Sequence, residues 1–212
     1  MTEANADGPL TIGLVLFDRA EELDWVGPFE VFTMAREVSG ETGPAAGLEV
    51  VLISEAGGMV TGAKGLRSEV NASFATAPQL DVLLVPGGIG TRTEMKNEAM
   101  LTFLRKQEPG CQWVTSVCTG SAVLERAGFA KGKRITTHWG YITTLRETAG
   151  EDSTVLENVR YVRDGNLVTS AGVSAGIDMA LWLTGQLWGV PHARLTQEVM
   201  EYDPAPPYTA DV

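Results

Sequence analysis

Apolar and polar positions along the chain follow two patterns, one typical of strands and the other of helices. Continuous apolar runs, as in buried parallel strands, occupy residues 10–17, 48–54, 80–85 and 113–118. Apolar residues at helical spacing occupy residues 25–38, 97–107, 124–128, 141–148, 174–188 and 193–201. The alternation of the two patterns predicts an α/β fold with a mostly parallel sheet and helices on both faces.

The rest of the chain predicts a hairpin, a single domain and an N-terminal tail. Two short strand-like runs, 159–163 and 167–170, flank Asp164-Gly165 and predict a hairpin. No repeat, linker or break in composition divides the chain, so we expect a single domain over residues 10–212. Residues 1–9 are polar and acidic, unlike a signal peptide, and we expect them to form a flexible tail.

Composition limits the partners of the chain. The 212 residues carry a formal net charge of −11, which argues against nucleic acid or an anionic membrane surface as a partner. Apolar runs stay shorter than the roughly 18 residues that span a bilayer. The two cysteines show no spacing typical of metal ligands, so we expect no metal, no disulfide framework and a reducing cytoplasm.

Cys118 is the first candidate for chemistry, because it ends a strand and precedes a helix. Thr119 and Gly120 form the short step between the two elements, a pattern typical of a nucleophile elbow. The first N–H groups of such a helix point at the sulfur and are expected to lower the pKa of the thiol. The alternative is a buried structural cysteine, which is how we interpret Cys111.

The glycine-rich loop after residue 85 is the candidate for binding negative charge. Glycines there allow backbone N–H groups to approach a ligand closely, and the candidates are Gly87, Gly88 and Ile89. The N–H of Thr119 is a further donor at the start of the helix after Cys118. The alternative interpretation is a plain turn at the end of a strand.

Several residues are candidates for moving a proton to or from the thiol. His138 follows a strand and is either a base for Cys118 or a structural histidine, whereas His192 is expected at the surface. Asp24 follows the first strand and is either a proton donor with a raised pKa or the N-cap of the next helix. Glu30 faces the same cleft or the surface, and Trp139 is a possible wall of the pocket.

Four stretches of the chain together resemble a known family. They are residues 23–32 (LDWVGPFEVF), 117–120 (VCTG), 136–139 (TTHW) and 202–208 (YDPAPPY). With the 85–88 run (VPGG), they resemble the PfpI-like branch of the class I glutamine amidotransferase-like superfamily, and within it the isonitrile hydratase group. Some transcription regulators carry a similar domain. We expect no DNA-binding helix-turn-helix here, because little chain follows residue 203 and the net charge is negative.

The resemblance implies a flavodoxin-like three-layer sandwich and a homodimer that uses no cofactor. It implies a nucleophile at Cys118, an acid at Asp24, a supporting hydroxyl at Thr119, and an isonitrile as the substrate. Peptidases of this branch often have a histidine directly after the cysteine, and Thr119 in that position makes peptidase activity doubtful. The alternatives are glyoxalase-like or hydrolytic chemistry on reactive carbonyls, with His138 as the base, and a non-enzymatic thiol sensor.

Overall fold

A mostly parallel sheet forms the centre of the molecule, as the alternation of elements predicts. The computed structural model of the protein describes residues 9–150 and 152–204. Nearly all of the predicted N-terminal tail, and residues 205–208 of the fourth family stretch, lie outside the described residues.

The strands are β1 (Thr11–Val15), β2 (Glu49–Ser54), β3 (Met59–Thr61), β4 (Arg67–Glu69), β5 (Ala72–Ser73), β6 (Val82–Val85), β7 (Trp113–Val117), β8 (Arg134–Ile135), β9 (Thr154–Val155), β10 (Tyr161–Asp164) and β11 (Leu167–Ser170). Six of the strands, β1, β2, β6, β7, β10 and β11, follow the predicted runs closely. Within the described residues the main sheet has the order β10-β11-β7-β6-β1-β2-β5. Every neighbouring pair in it is parallel except β10 with β11, which form the predicted hairpin. β1, β6 and most of β7 are buried, which explains why they read as continuous apolar runs.

The helices cover both faces of this sheet. They are α1 (Glu22–Ser39), α2 (Thr91–Glu94), α3 (Glu98–Gln107), α4 (Gly120–Ala127), α5 (Ile142–Thr148), α6 (Ala175–Trp188) and α7 (Val190–Val199). α1, α6 and α7 pack against one another, and α3 packs against α4. The predicted three-layer sandwich is therefore confirmed. The described residues contain no helix with both the length and the apolar character needed to cross a membrane.

The order of the strands creates a topological switch point beside β1. The chain runs outward from β1 to β2 and β5, then returns to the other side of β1 to form β6 and β7. Loops from adjacent strands diverge at such a switch point and leave a crevice at the carboxyl ends, where ligands bind in open α/β sheets. The segments that follow β1, β6 and β7 contain Asp24, Gly87 and Cys118 respectively.

Prediction and structure differ mainly at the shortest helices and strands of the structure. The sequence patterns missed the small β3–β4 hairpin, the two-residue strands β5 and β9, and the single-turn helix α2, because none of them is long enough to show a period. α1 begins three residues before the predicted start. Gly128, with φ of 96°, ends α4 as predicted for a C-terminal glycine.

The predicted surface position of His192 is wrong. α7 begins at Val190 with Pro191 in its first turn, so His192 lies inside the helix and is buried. Its Nε2 lies 2.8 Å from the carbonyl oxygen of Ala35 and 3.2 Å from the hydroxyl of Ser39. The imidazole therefore ties α7 to the C-terminal half of α1.

We expect His192→Ala to lower the free energy of unfolding by about 1–3 kcal/mol, because it removes a buried hydrogen bond to the Ala35 carbonyl and the contact of the ring with Trp188. Urea denaturation measures the change. Arg194→Ala, on the exposed side of the same helix, is the control and should change the stability by less than about 0.5 kcal/mol. Equal losses in the two variants would contradict the role of His192.

Candidate active site

Cys118 occupies the nucleophile elbow that the sequence predicts. It directly follows β7 and has φ of 56°, a left-handed conformation that is uncommon for residues other than glycine. The next helix starts at Gly120, where an added Cβ would collide with the carbonyl oxygen of Val85. The absence of a side chain at Gly120 therefore lets α4 begin against the end of β6, with its N-terminus beside the sulfur.

Asp24 faces this elbow from the first turn of α1. The N-cap position of that helix belongs to Glu21, so the capping role that we considered for Asp24 is wrong. Asp24 is fully buried, and its Oδ2 accepts a hydrogen bond of 2.9 Å from the N–H of Gly87. Its Oδ1 is also buried and has no hydrogen-bond partner among the described residues. One carboxyl oxygen is thus anchored, and the other is left for a proton or a ligand.

Gly87 is the point at which the three segments meet. A Cβ at this position would lie 2.5 Å from the backbone nitrogen of Thr119 and 2.7 Å from the Cβ of Cys118. It would also lie 2.8 Å from Oδ2 of Asp24. Such distances are too short for any side chain, so only glycine allows the carboxyl and the thiol to approach each other here.

Burial controls the protonation of this carboxyl and thiol. It raises the pKa of Asp24 to about 7, helped by the nearby charge of Glu21 and opposed by the Gly87 N–H and the Cys118 thiol. It raises the pKa of the Cys118 thiol to about 12, and the charge of Asp24 adds to the rise. The expected lowering of the thiol pKa is therefore wrong for the free site. The N–H groups of Thr119 and Gly88 do lower it, but burial and the carboxylate outweigh them.

Thr119 connects the elbow to the glycine-rich loop. Its buried hydroxyl lies 3.1 Å from the backbone nitrogen of Gly88, from which it accepts a hydrogen bond. Gly88 has φ of 107°, which a glycine adopts without strain. The N–H of Gly88 is thus engaged with Thr119. In contrast, no described residue accepts a hydrogen bond from the N–H of Ile89, whose side chain is half exposed.

The remaining candidates lie apart from the carboxyl and the thiol. Nδ1 of His138 accepts a hydrogen bond of 3.1 Å from the N–H of Gly140, so the imidazole caps its own turn. No described hydrogen bond joins it to Cys118. Trp139 is 83 % exposed, which is inconsistent with an enclosed pocket wall in one chain. Glu30 is exposed on α1, and no described hydrogen bond joins it to Asp24 or Cys118.

Two polar residues of the site were missed by sequence reasoning. Thr91 and Arg92 begin α2 directly after the glycine-rich loop, and both reach the hydroxyl of Thr119. Their position one and two residues after Gly90 was the available signal. Over residues 9–150 and 152–204, no three His, Cys, Asp or Glu side chains are grouped as metal ligands.

Residues 11–186 match the model of the DJ-1/PfpI family. The chain belongs to the DJ-1/PfpI family. It is 42 % identical over 202 residues to an isonitrile hydratase of Pseudomonas putida, across 94 % of this chain and 81 % of that one. It is 28 % identical to the HTH-type transcriptional regulator GbdR of Pseudomonas aeruginosa, but spans only 51 % of the regulator.

Solved structures of this family share the fold. A THiJ/PfpI family protein from Pseudomonas syringae superimposes with a TM-score of 0.83 and 31 % sequence identity, covering 100 % of this chain and 83 % of the other. The DJ-1beta protein of Drosophila melanogaster gives a TM-score of 0.78 at 22 % identity, over 92 % of this chain and 99 % of that one. The PfpI-like branch inferred from the motifs is thereby confirmed.

The raised pKa of Asp24 predicts a particular dependence of stability on pH. Between about pH 4 and pH 7 the folded chain holds a proton on Asp24 that the unfolded chain has released, so stability falls as the pH rises. Asp24→Asn removes this titration. We therefore expect the stability of the variant, relative to the wild type, to increase across that interval.

Urea denaturation at a series of pH values measures this difference. Glu37→Gln removes an exposed carboxyl from the same helix and should give a curve parallel to that of the wild type. A parallel curve for Asp24→Asn as well would show that Asp24 titrates normally in the fold.

Proposed function

We propose that the chain is an isonitrile hydratase, which converts R–N≡C and water into the N-substituted formamide. The observation that carries the proposal is the buried pair formed by the Asp24 carboxyl and the Cys118 thiol at the switch point of the sheet. The 42 % identity to the Pseudomonas putida hydratase supports it. We assign the nucleophile to Cys118, the proton transfer to Asp24, and a supporting hydroxyl to Thr119.

The first step uses both members of the pair on the same carbon. An isonitrile carbon accepts a nucleophile and must then gain a proton, because the attack leaves negative charge on it. The Cys118 sulfur forms the new bond to carbon while the Asp24 carboxylate takes the thiol proton. Asp24 then delivers that proton to the same carbon, giving the thioimidate R–N=CH–S–Cys118. The unpartnered Oδ1 of Asp24 is free to carry the proton.

The second step adds water and releases the enzyme. Water adds its hydroxyl to the thioimidate carbon, and the nitrogen gains a proton, so that R–NH–CH(OH)–S–Cys118 forms. Collapse of this intermediate breaks the carbon–sulfur bond, leaves R–NH–CHO, and returns the proton to the pair. We assign the binding of the intermediate to the N–H of Ile89 and the hydroxyl of Thr119. The N–H of Gly88 is already engaged.

Two alternatives are less well supported by the geometry. A hydrolase or glyoxalase-like mechanism with His138 as the base needs that imidazole in hydrogen-bond reach of the sulfur. No described hydrogen bond joins the two residues, and the Nδ1 lone pair of His138 already accepts from the N–H of Gly140. A redox sensor needs an exposed thiol of low pKa, whereas Cys118 is buried and its pKa is raised. Lactate from methylglyoxal would indicate the first alternative, and sulfenate without turnover the second.

The proposal also includes a single domain over residues 10–212, a homodimer and a cytoplasmic location, with no nucleic acid or membrane partner. Two buried cysteine thiols without a disulfide fit a reducing compartment. The net charge of −11 supports the absence of nucleic acid and anionic membranes as partners.

Turnover of a simple aryl isonitrile tests the assignment of the pair. We expect Cys118→Ala to produce no formamide, because the covalent route is lost. Asp24→Asn should keep its fold and lose about 10²–10⁴-fold in kcat, the usual contribution of general acid–base catalysis. Cys111→Ala is the control, since that thiol donates only to the carbonyl of Gln107, and it should remain active. Formamide production by Cys118→Ala would exclude the covalent route.

The pKa values of the pair predict the pH profile of the reaction. The reactive pair holds one proton in total, and below about pH 7 it gains a second on Asp24. We therefore expect kcat/KM to rise with pH up to about pH 7 and then to level off. A rate that falls as the pH rises through 7 would contradict this proton count.

A further inference from the structure

A cavity of about 370 Å³ lies at the carboxyl ends of β1 and β2. Its volume falls within the range of about 300–1,000 Å³ that is usual for small-molecule sites. Neither Asp24 nor Cys118 lines it, so it is separate from the proposed active site. Four of the residues that line it are apolar and buried: Leu16, Phe17, Val60 and Met100. The cavity therefore suits a small ligand with an apolar body.

Three carboxylates line the same cavity. Asp18 follows β1, Glu55 follows β2, and Glu94 ends α2. None of the three forms an ion pair with a described residue. Among the described residues that line the cavity, Arg19 is the one cation, and its side chain is exposed. The lining is therefore net negative and favours a positively charged ligand.

Each of these carboxylates has one oxygen that is held in place. Oδ1 of Asp18 accepts a hydrogen bond of 3.0 Å from the N–H of Thr61. Oε2 of Glu55 and Oε2 of Glu94 both accept from the side-chain amide of Asn97, at 2.8 and 2.9 Å. Asn97 is itself fixed, because its Oδ1 caps the N-terminus of α3. The second oxygen of each carboxylate accepts no hydrogen bond from a described residue, so three held carboxylates each have an oxygen available to a ligand.

The hydroxyl of Ser54 is an independent sign of a ligand. Ser54 lines the cavity and is only 5 % exposed, yet its hydroxyl forms no hydrogen bond with a described residue. The hydroxyl oxygen is not sealed from solvent, unlike that of Ser116, so it opens into the cavity. Side-chain hydroxyls in such buried positions normally have a partner. A polar group of a ligand in the cavity would provide one.

The arrangement of the carboxylates favours an organic cation over a metal ion. Over residues 9–150 and 152–204, no three acidic, histidine or cysteine side chains are grouped as ligands of one metal. A primary ammonium has three N–H donors, which separate acceptors can share. Burial raises the pKa of Glu94, and the charges of Glu55 and Asp18 add to the rise. A cation among the three carboxylates would relieve this repulsion.

We propose that this cavity binds a small primary amine in its protonated form. The ammonium group lies among the carboxylates of Asp18, Glu55 and Glu94 and the hydroxyl of Ser54. The organic group of the amine packs on the buried apolar residues of the cavity. This inference goes beyond the proposed function, because it requires neither Cys118 nor an isonitrile.

Isothermal titration calorimetry with 2-phenylethylamine tests the proposal, because this amine is a cation near neutral pH. We expect a Kd of about 1 mM or lower, an ordinary affinity for a ligand of this size. 2-Phenylethanol has the same apolar body without the charge, and we expect it to bind at least about tenfold more weakly. Equal affinities for the two compounds, or no measurable binding of the amine, would overturn the proposal.

Variants of the lining residues locate the bound amine. Glu55→Gln and Glu94→Gln each remove one charge but keep an oxygen that accepts from Asn97, and we expect each to weaken binding about tenfold. Because Glu55 is exposed, its variant decides the matter if Glu94→Gln fails to fold. Glu37→Gln removes an exposed carboxyl from α1 and should bind as the wild type does. Equal weakening by Glu37→Gln, or wild-type affinity in Glu55→Gln, would overturn the proposal.

Two further measurements exclude other binding modes. Calcium chloride, compared with sodium chloride at matched ionic strength, should not displace the amine; displacement by calcium would identify a metal site and overturn the proposal. Cys118→Ala should keep the wild-type affinity, and a loss would place the amine at the active site instead. These readouts do not involve isonitrile turnover. A wild type that fails to hydrate isonitriles would therefore overturn the proposed function but not the amine site.

Discussion

The hydrogen bond from the Gly87 N–H to the Asp24 carboxyl is the interaction on which the site depends. It joins residues 63 positions apart and holds a fully buried carboxyl against the end of β6. A buried carboxyl is costly without a partner, and this N–H satisfies one oxygen while leaving the other free. The glycine backbone makes the contact and also provides the space in which the Cys118 side chain lies.

Burial of the pair determines where its proton lies. An apolar environment disfavours both the carboxylate and the thiolate, so the two groups together retain a proton near neutral pH. A proton held between a carboxyl and a thiol suits a reaction that adds sulfur and hydrogen to one carbon. An exposed thiolate of low pKa would attack as readily, but it would bring no proton to the carbanion that forms. The raised pKa values therefore fit the hydration of an isonitrile better than sensing by an exposed thiolate.

Sequence reasoning was strongest where the pattern is local. The buried strands, the hairpin at Asp164-Gly165 and the elbow at Cys118 follow from periodicity and turn residues within a few positions. The approach of Asp24 to Cys118 depends on the strand order around β1, which periodicity does not reveal, so the residues left it open beside the N-cap role and the family resemblance favoured it. The predicted lowering of the Cys118 pKa was wrong because local sequence shows that a helix begins beside the thiol but not that the thiol is buried. α2 was missed because a four-residue helix has no measurable period.

The same geometry is compatible with the proposed mechanism, which uses no histidine beside the cysteine. In a cysteine–histidine enzyme the imidazole removes the thiol proton and later returns it to the leaving group. Here a carboxyl whose pKa burial raises to about 7 has nearly the same affinity for a proton as an imidazole, so Asp24 can take that part. The position after the cysteine is then available for a small hydroxyl, and an imidazole at Thr119 would lose the buried hydroxyl contacts with Gly88 and Thr91. In the proposed mechanism, the threonine after the cysteine and the burial of Asp24 therefore go together, because the buried carboxyl acts as the base that a histidine provides in other cysteine enzymes.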